Sequence, residues 1–243
     1  MSFDTSTLYL VATMLAAMLG GMLVLFGRQE NIAALKWWGA AYLLGSAAVA
    51  IWTIFGATLG PIASLALTSI GFFACGMVWN ASRVFHGRKL LWPGLVLGPL
   101  VWIATMMTLA PRDASIRLSM GAAIVAIYAA LTASELWSER RRDMQRRWPT
   151  ITVPVLHGFV LMLPILIGVF MRPYDANFSS SVWVTAFSVE LVLYAICTVF
   201  VIFMLAPIVV VCWVAFTPEG YLSFPTDRWS LRWFEAIARY PEF

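Results

Sequence analysis

Residues 182–216 read VWVTAFSVELVLYAICTVFVIFMLAPIVVVCWVAF, with one ionisable side chain, Glu190, in 35 positions. As a continuous helix this stretch is about 52 Å long, against a bilayer hydrocarbon core of about 30 Å. No soluble domain of ordinary size has an interior that needs such a run. The stretch also contains Pro207, which removes the backbone bond to Phe203 and crowds that carbonyl. A kink or break is expected near 204–207. The fold class is therefore membrane-embedded and helical, and the chain changes character around Pro207.

The rest of the chain agrees. Of its 243 residues 61% are hydrophobic and 12% charged, and the mean hydropathy is +0.84. These values belong to polytopic helical membrane proteins. Charges gather between apolar runs at 8–26, 37–59, 61–84, 92–110, 116–137 and 151–171, followed by one span within 182–216. Each run approximates the roughly 20 residues that a crossing helix needs, and in lipid the backbone must satisfy its own polar groups. The expectation is an all-α, polytopic membrane protein with seven transmembrane helices. Met1–Thr7 holds Asp4 and no Lys or Arg, so the first run reads as a span and not as a cleaved signal.

Lys and Arg set the orientation. The first, third and fifth loops hold Arg28, Lys36, Arg83, Arg88, Lys89, Arg140, Arg141, Arg142, Arg146 and Arg147; the opposite loops hold Arg112, Arg117 and Arg172. This places the amino terminus outside and the carboxyl terminus on the cytoplasmic side of the membrane. The net charge of +4 follows from these residues, so no nucleic-acid partner is expected; the lipid bilayer is.

Glu190 is the only carboxylate well inside an expected span, about 12 Å from its start at Val182. Such a group is costly in lipid and faces the bundle interior. Together with Ser188 and Tyr194, and with Thr185 on a nearby turn, it is a candidate ligand or signalling site. The plainer alternative is a carboxyl group bonded to a neighbouring Ser, Thr or backbone carbonyl. His86 and His157 are the only histidines. Haem or metal ligation by the pair lacks a supporting carboxylate pattern, and His157 reads as bonded to a neighbour. The basic run with Arg140, Arg141, Arg142, Arg146 and Arg147 suits anionic lipid or a cytoplasmic partner, or serves only as a topological anchor. Gly20, Gly21, Gly56, Gly60, Gly71 and Gly76 offer close-packing surfaces between helices.

Cys75, Cys197 and Cys212 lie in apolar segments without paired spacing, as buried free thiols do. The chain has no phosphate-binding Gly-x-x-x-x-Gly-Lys-Ser/Thr loop, no dinucleotide fingerprint and no His-Glu-x-x-His. No catalytic residue, cofactor or metal site is expected.

Two resemblances accompany these residues. The segments 35–45 (LKWWGAAYLLG), 76–88 (GMVWNASRVFHGR), 135–137 (ELW), Arg147-Trp148-Pro149 and 187–194 (FSVELVLY) resemble the amino-terminal multi-span region of bacterial diguanylate cyclases, over residues 1–206. The resemblance implies a signal-input module in a protein able to form homodimers. A cytoplasmic cyclase domain with a Gly-Gly-Asp/Glu-Glu-Phe signature would follow the last span. That signature does not occur here, and the expectation is an input module without its catalytic domain. Residues 207–243, through APIVVVCWVAFTPEGYLSFP (206–225), SLRWFE (230–235) and PEF (241–243), resemble the start of a spermidine/putrescine-type ABC transporter permease. That alternative implies transport with an ABC ATPase and a second permease as partners, although the docking Glu-Ala-Ala loop is lacking. In the tail, Ser230 can cap a short helix through Tyr240 with Leu231, Phe234 and Ile237 on one face. This predicts an interfacial carboxyl-terminal helix.

Overall fold

The computed structural model describes residues 5–108, 114–138, 148–170 and 189–198, together with Glu235. The chain divides into two compact units, Met1–Cys197 and Thr198–Phe243. The first unit is all helical among its described residues, with α1 (Thr5–Gln29), α2 (Ala33–Phe55), α3 (Pro61–Phe85), α4 (Trp92–Thr108), α5 (Ala114–Ser138) and α6 (Trp148–Phe170). A shorter apolar helix, α7, runs Val189–Thr198. Among the described residues, α1, α2, α3 and most of α5 are long and apolar enough to cross a bilayer. Of the second unit, Glu235 is helical and exposed. The expected break at Pro207, the rest of the 230–240 helix, Ser188, Thr185 and the Arg140–Arg147 run lie outside the described residues.

Helix ends follow local chemistry. The α1–α2 turn is only three residues long and places Asn31 at φ 52°, a left-handed conformation that Asn tolerates better than most residues. Its side chain accepts a bond from Lys36 Nζ at 3.0 Å. Pro61 opens α3 in the first helical turn, where its missing N–H costs nothing. At the other end Gly87 takes φ 70°, and Arg88 N–H bonds back to Arg83 O at 2.9 Å. This is the left-handed glycine stop of many helices. Asn80 then ties the α3–α4 turn to the bundle. It is fully buried, its amide donates to Gly76 O at 3.1 Å, and its carbonyl accepts Leu91 N–H at 2.8 Å.

Consecutive helices pack as neighbours, and α3 touches α2, α4 and α5. Small residues set the closest approaches. A Cβ on Gly20 would stand 2.9 Å from Gly39 O, and one on Gly39 would stand 2.7 Å from Gly20 O. Gly76 meets the backbone of Gly94 and Leu95 in the same way. Gly21, Gly60 and Gly71 have open space beside them, so the expected close packing is carried by only some of the glycines. Gly39, across from Gly20, is part of it.

Helix α4 contains Pro99, which cannot donate to Leu95 O. One residue earlier, the Tyr128 hydroxyl of α5 accepts Gly98 N–H at 3.0 Å and donates to Gly94 O at 2.7 Å. An unbroken α-helix pairs those two backbone groups with each other. The side chain of one helix thus completes the ladder of the next. The room comes from glycine, because a Cβ on Gly98 would stand 2.6 Å from the Tyr128 ring.

The end of the bundle that carries Arg28, Lys36, Arg83, Arg88 and Lys89 is solid. Asn80, Ala81, Ser82 and Leu95 are completely buried there, with Met77 and Trp79 nearly so. Trp38 donates to Val78 O at 3.1 Å and packs against Phe85. Glu135, near the end of α5, is buried and accepts from Arg88 at 2.8 Å. Arg83 stands 3.7 Å from the same carboxyl oxygen and lies over the Trp79 ring.

Candidate functional site

A cavity of about 1070 Å³ is bordered by six of the helices, α1 to α6, and by α7. The bordering positions run from Tyr9 to Leu19 on α1, Ala41 to Trp52 on α2 and Pro61 to Val78 on α3. On α4 they are Trp102, Met106 and Met107, and on α5 they run from Arg117 to Thr132. On α1 and α4 these are the parts remote from the basic turns, while Ala41 and Val78 reach toward them. The wall is mostly apolar with a few polar groups, as in small-molecule pockets, which measure roughly 300–1,000 Å³.

The cavity reaches a polar cluster made by α2, α6 and α7. His157 Nδ1 lies 2.6 Å from Glu190 Oε1, and each side chain is 13% exposed. The Tyr194 ring stacks on the His157 ring at 4.2 Å between centroids with 27° between planes. The Tyr194 hydroxyl is 3.4 Å from that of Tyr42. Helical spacing explains how α7 contributes twice: Glu190 and Tyr194 are four apart and share a face. All four side chains border the cavity.

A contact this short holds one shared proton, given by an imidazole N–H to the carboxylate or by a carboxyl O–H to the imidazole nitrogen. The pair also presents further polar atoms, the second carboxyl oxygen and imidazole Nε2, from the same two side chains.

The expected interior-facing Glu190 is found, with Tyr194 close by. Its partner is neither a Ser, a Thr nor a backbone carbonyl, but His157 on another helix. The pairing spans 33 residues, which no local spacing announces. The available signal was electrostatic: an ionisable group in a span needs a partner, and His157 lies within the 151–171 run. Three further residues escaped the sequence reading. They are Glu135 with its two arginines, Tyr128 with its two backbone bonds, and Trp102. Trp102 borders the cavity and is buried, and its indole N–H has no hydrogen-bond partner among the described residues. Among the described residues no group of three or more His, Cys, Asp or Glu side chains is placed to hold a metal ion.

No protein-family model, curated protein or solved structure matches the chain.

Proposed function

We propose that the chain is a membrane-integral signal-input module. It crosses a bacterial inner membrane seven times with its amino terminus outside, and it binds a small molecule in the cavity. Binding shifts the packing of α2, α6 and α7, and the last span passes that shift to a cytoplasmic output. One observation carries this reading: an apolar cavity reaches a hydrogen-bonded cluster, His157–Glu190 with Tyr194 and Tyr42, that joins three helices. A ligand touching that cluster acts on all three helices at once. The Lys/Arg distribution supports the orientation, because positive residues favour the cytoplasmic side. The resemblance of residues 1–206 to the input region of diguanylate cyclases supports cyclic-di-GMP synthesis as the controlled output.

A cyclase catalytic domain joined after Leu205 tests this reading in cells without other cyclases. Glu190→Gln and Tyr42→Phe are expected to change cyclic-di-GMP by about fivefold or more, the usual scale of coupling between sites. The amount of fusion protein in the membrane should stay the same. Unchanged cyclic-di-GMP in both variants would count against a signalling role for the cluster.

A further inference from the structure

Glu190 leaves half of its carboxyl group unused. Its Oε1 meets His157 Nδ1 at 2.6 Å, while Oε2 has no hydrogen-bond partner among the described residues. The side chain borders the cavity and is 13% exposed. Whichever group gives the proton shared at Oε1, Oε2 carries none, so it is an acceptor in both arrangements. An unbonded carboxyl oxygen in largely apolar surroundings is costly. The cavity is short of a donor at this place.

Other polar groups of the wall do not supply it. The hydroxyls of Thr13, Ser46 and Thr68 donate to Leu10 O, Leu43 O and Ser64 O of their own helices, at 2.8, 3.0 and 2.8 Å. Toward a ligand they can only accept. Imidazole Nε2 follows the shared proton: it accepts when a neutral imidazole carries its hydrogen on Nδ1, and donates when the carboxyl group gives the proton. A hydroxyl group suits both states, because it donates and accepts. An ammonium group only donates, and in the second state it would face an N–H. A carboxylate or phosphate head cannot donate to Oε2 and would bring a second acid beside Glu190. Its counterion would have to be Arg117, the one Lys or Arg among the described residues of the wall. Arg117 stands about 18 Å along α5 from Ala129. Ala129 is the α5 residue that meets Gly158, the neighbour of His157, with its Cβ 3.2 Å from where a Cβ on Gly158 would be. The rest of the wall, with Phe72, Val125, Leu161 and Ala195, takes an apolar body.

We infer that the cavity binds an uncharged, lipid-soluble alcohol. Its hydroxyl donates to Glu190 Oε2, and its apolar body lies against the aliphatic and aromatic wall. This assignment names the molecule class for the input site proposed above and rests on that reading for its consequence, not for its test.

The probe is 3-azioctanol, an alcohol whose diazirine loses nitrogen under ultraviolet light and leaves a carbene close to the hydroxyl. The full chain in phosphatidylcholine nanodiscs is irradiated with it, and labelled residues are located by peptide mass spectrometry. The expected labels are Tyr42, His157, Glu190 and Tyr194, in excess over the exposed Met14 and Met18. Excess octan-1-ol is expected to suppress this labelling. Its isomer 1-methoxyheptane, which has no O–H, should suppress it far less at the same membrane concentration. Glu190→Leu should weaken labelling at Tyr42 and Tyr194 by about two- to tenfold, the worth of one hydrogen bond. If Glu190→Leu does not fold, the comparison of the two competitors on the unaltered chain decides. Four results overturn the inference: labelling of the cluster no stronger than that of Met14 and Met18, equal competition by 1-methoxyheptane, stronger competition by octylammonium or octanoate than by octan-1-ol, or unchanged labelling of a folded Glu190→Leu variant. Failure here with a responsive cyclase fusion removes the ligand class and leaves the signalling reading. Success here with an unresponsive fusion does the reverse.

Discussion

Breaking the His157–Glu190 pair from one side should cost nearly as much as removing it whole. His157→Phe keeps a ring to stack on Tyr194, where the centroids are now 4.2 Å apart, and removes both ring nitrogens, including the Nδ1 that Glu190 meets at 2.6 Å. The orphaned carboxyl group then either holds its own proton without a partner or carries an uncompensated charge. The first costs about 1–3 kcal/mol and the second about 3–5 kcal/mol. The cheaper state sets the observed loss, so about 2 kcal/mol is expected. Glu190→Leu orphans the imidazole and costs a similar amount. The double variant has no orphan and should lose little more than one single variant, giving a coupling energy of about 1–3 kcal/mol. At about 2–4 °C per kcal/mol for chains of this size, each single variant should melt about 4–8 °C lower. The assay is thermal unfolding followed by circular dichroism in one detergent. If the two losses simply add in the double variant, the pair has no joint contribution and the argument fails. Glu190→Gln, which retains a hydrogen-bonding group, should stay close to the parent; Glu190→Lys, which adds a cation beside an imidazole, should not.

Two glycines of α1 and α2 should respond with opposite signs. Gly39→Ala drives a methyl group into Gly20 O and Val24 and should cost about 1–3 kcal/mol by overpacking, whereas Gly21→Ala has open space and should gain about 0.5–1 kcal/mol of helix propensity; melting curves separate the two. Tyr128→Phe removes the hydroxyl shared by Gly94 and Gly98, so the amide of Gly98 should exchange hydrogen faster, with a loss of about 1–3 kcal/mol if the backbone groups do not re-pair. For the seven-span topology, cysteines placed at Ser2 and in the Arg140–Arg147 loop should react with an impermeant thiol reagent from opposite sides. Labelling of both from one side would refute the orientation.

Helix number and kind were legible because apolar runs of span length admit few other folds in lipid. Their ends were less so. The second run was expected over 37–59, but α2 begins at Ala33 and stops at Phe55. Backbone hydrogen bonding continues through Lys36, which a hydropathy reading puts outside, and it ends in the turn at 56–58. In the candidate site, Glu190 stood out because a carboxylate in a span is costly wherever it lies. Its partner depended on which faces of α6 and α7 meet, and that is a property of packing. Tyr128 and Trp102 read in the sequence as ordinary aromatic residues. Only the position of its hydroxyl between two backbone groups gives Tyr128 a role.

The bundle is made of two materials along its length. Closely packed protein compresses little and transmits strain, whereas internal voids are what pressure acts on. The end holding Asn80, Ser82 and Leu95, all fully buried, therefore moves as a stiff block, while the end around the 1070 Å³ cavity deforms. A sideways squeeze on the membrane would change the width of one end and only tilt the other. The junction between them, at Tyr128 and His157, is where a change of volume becomes a change of angle.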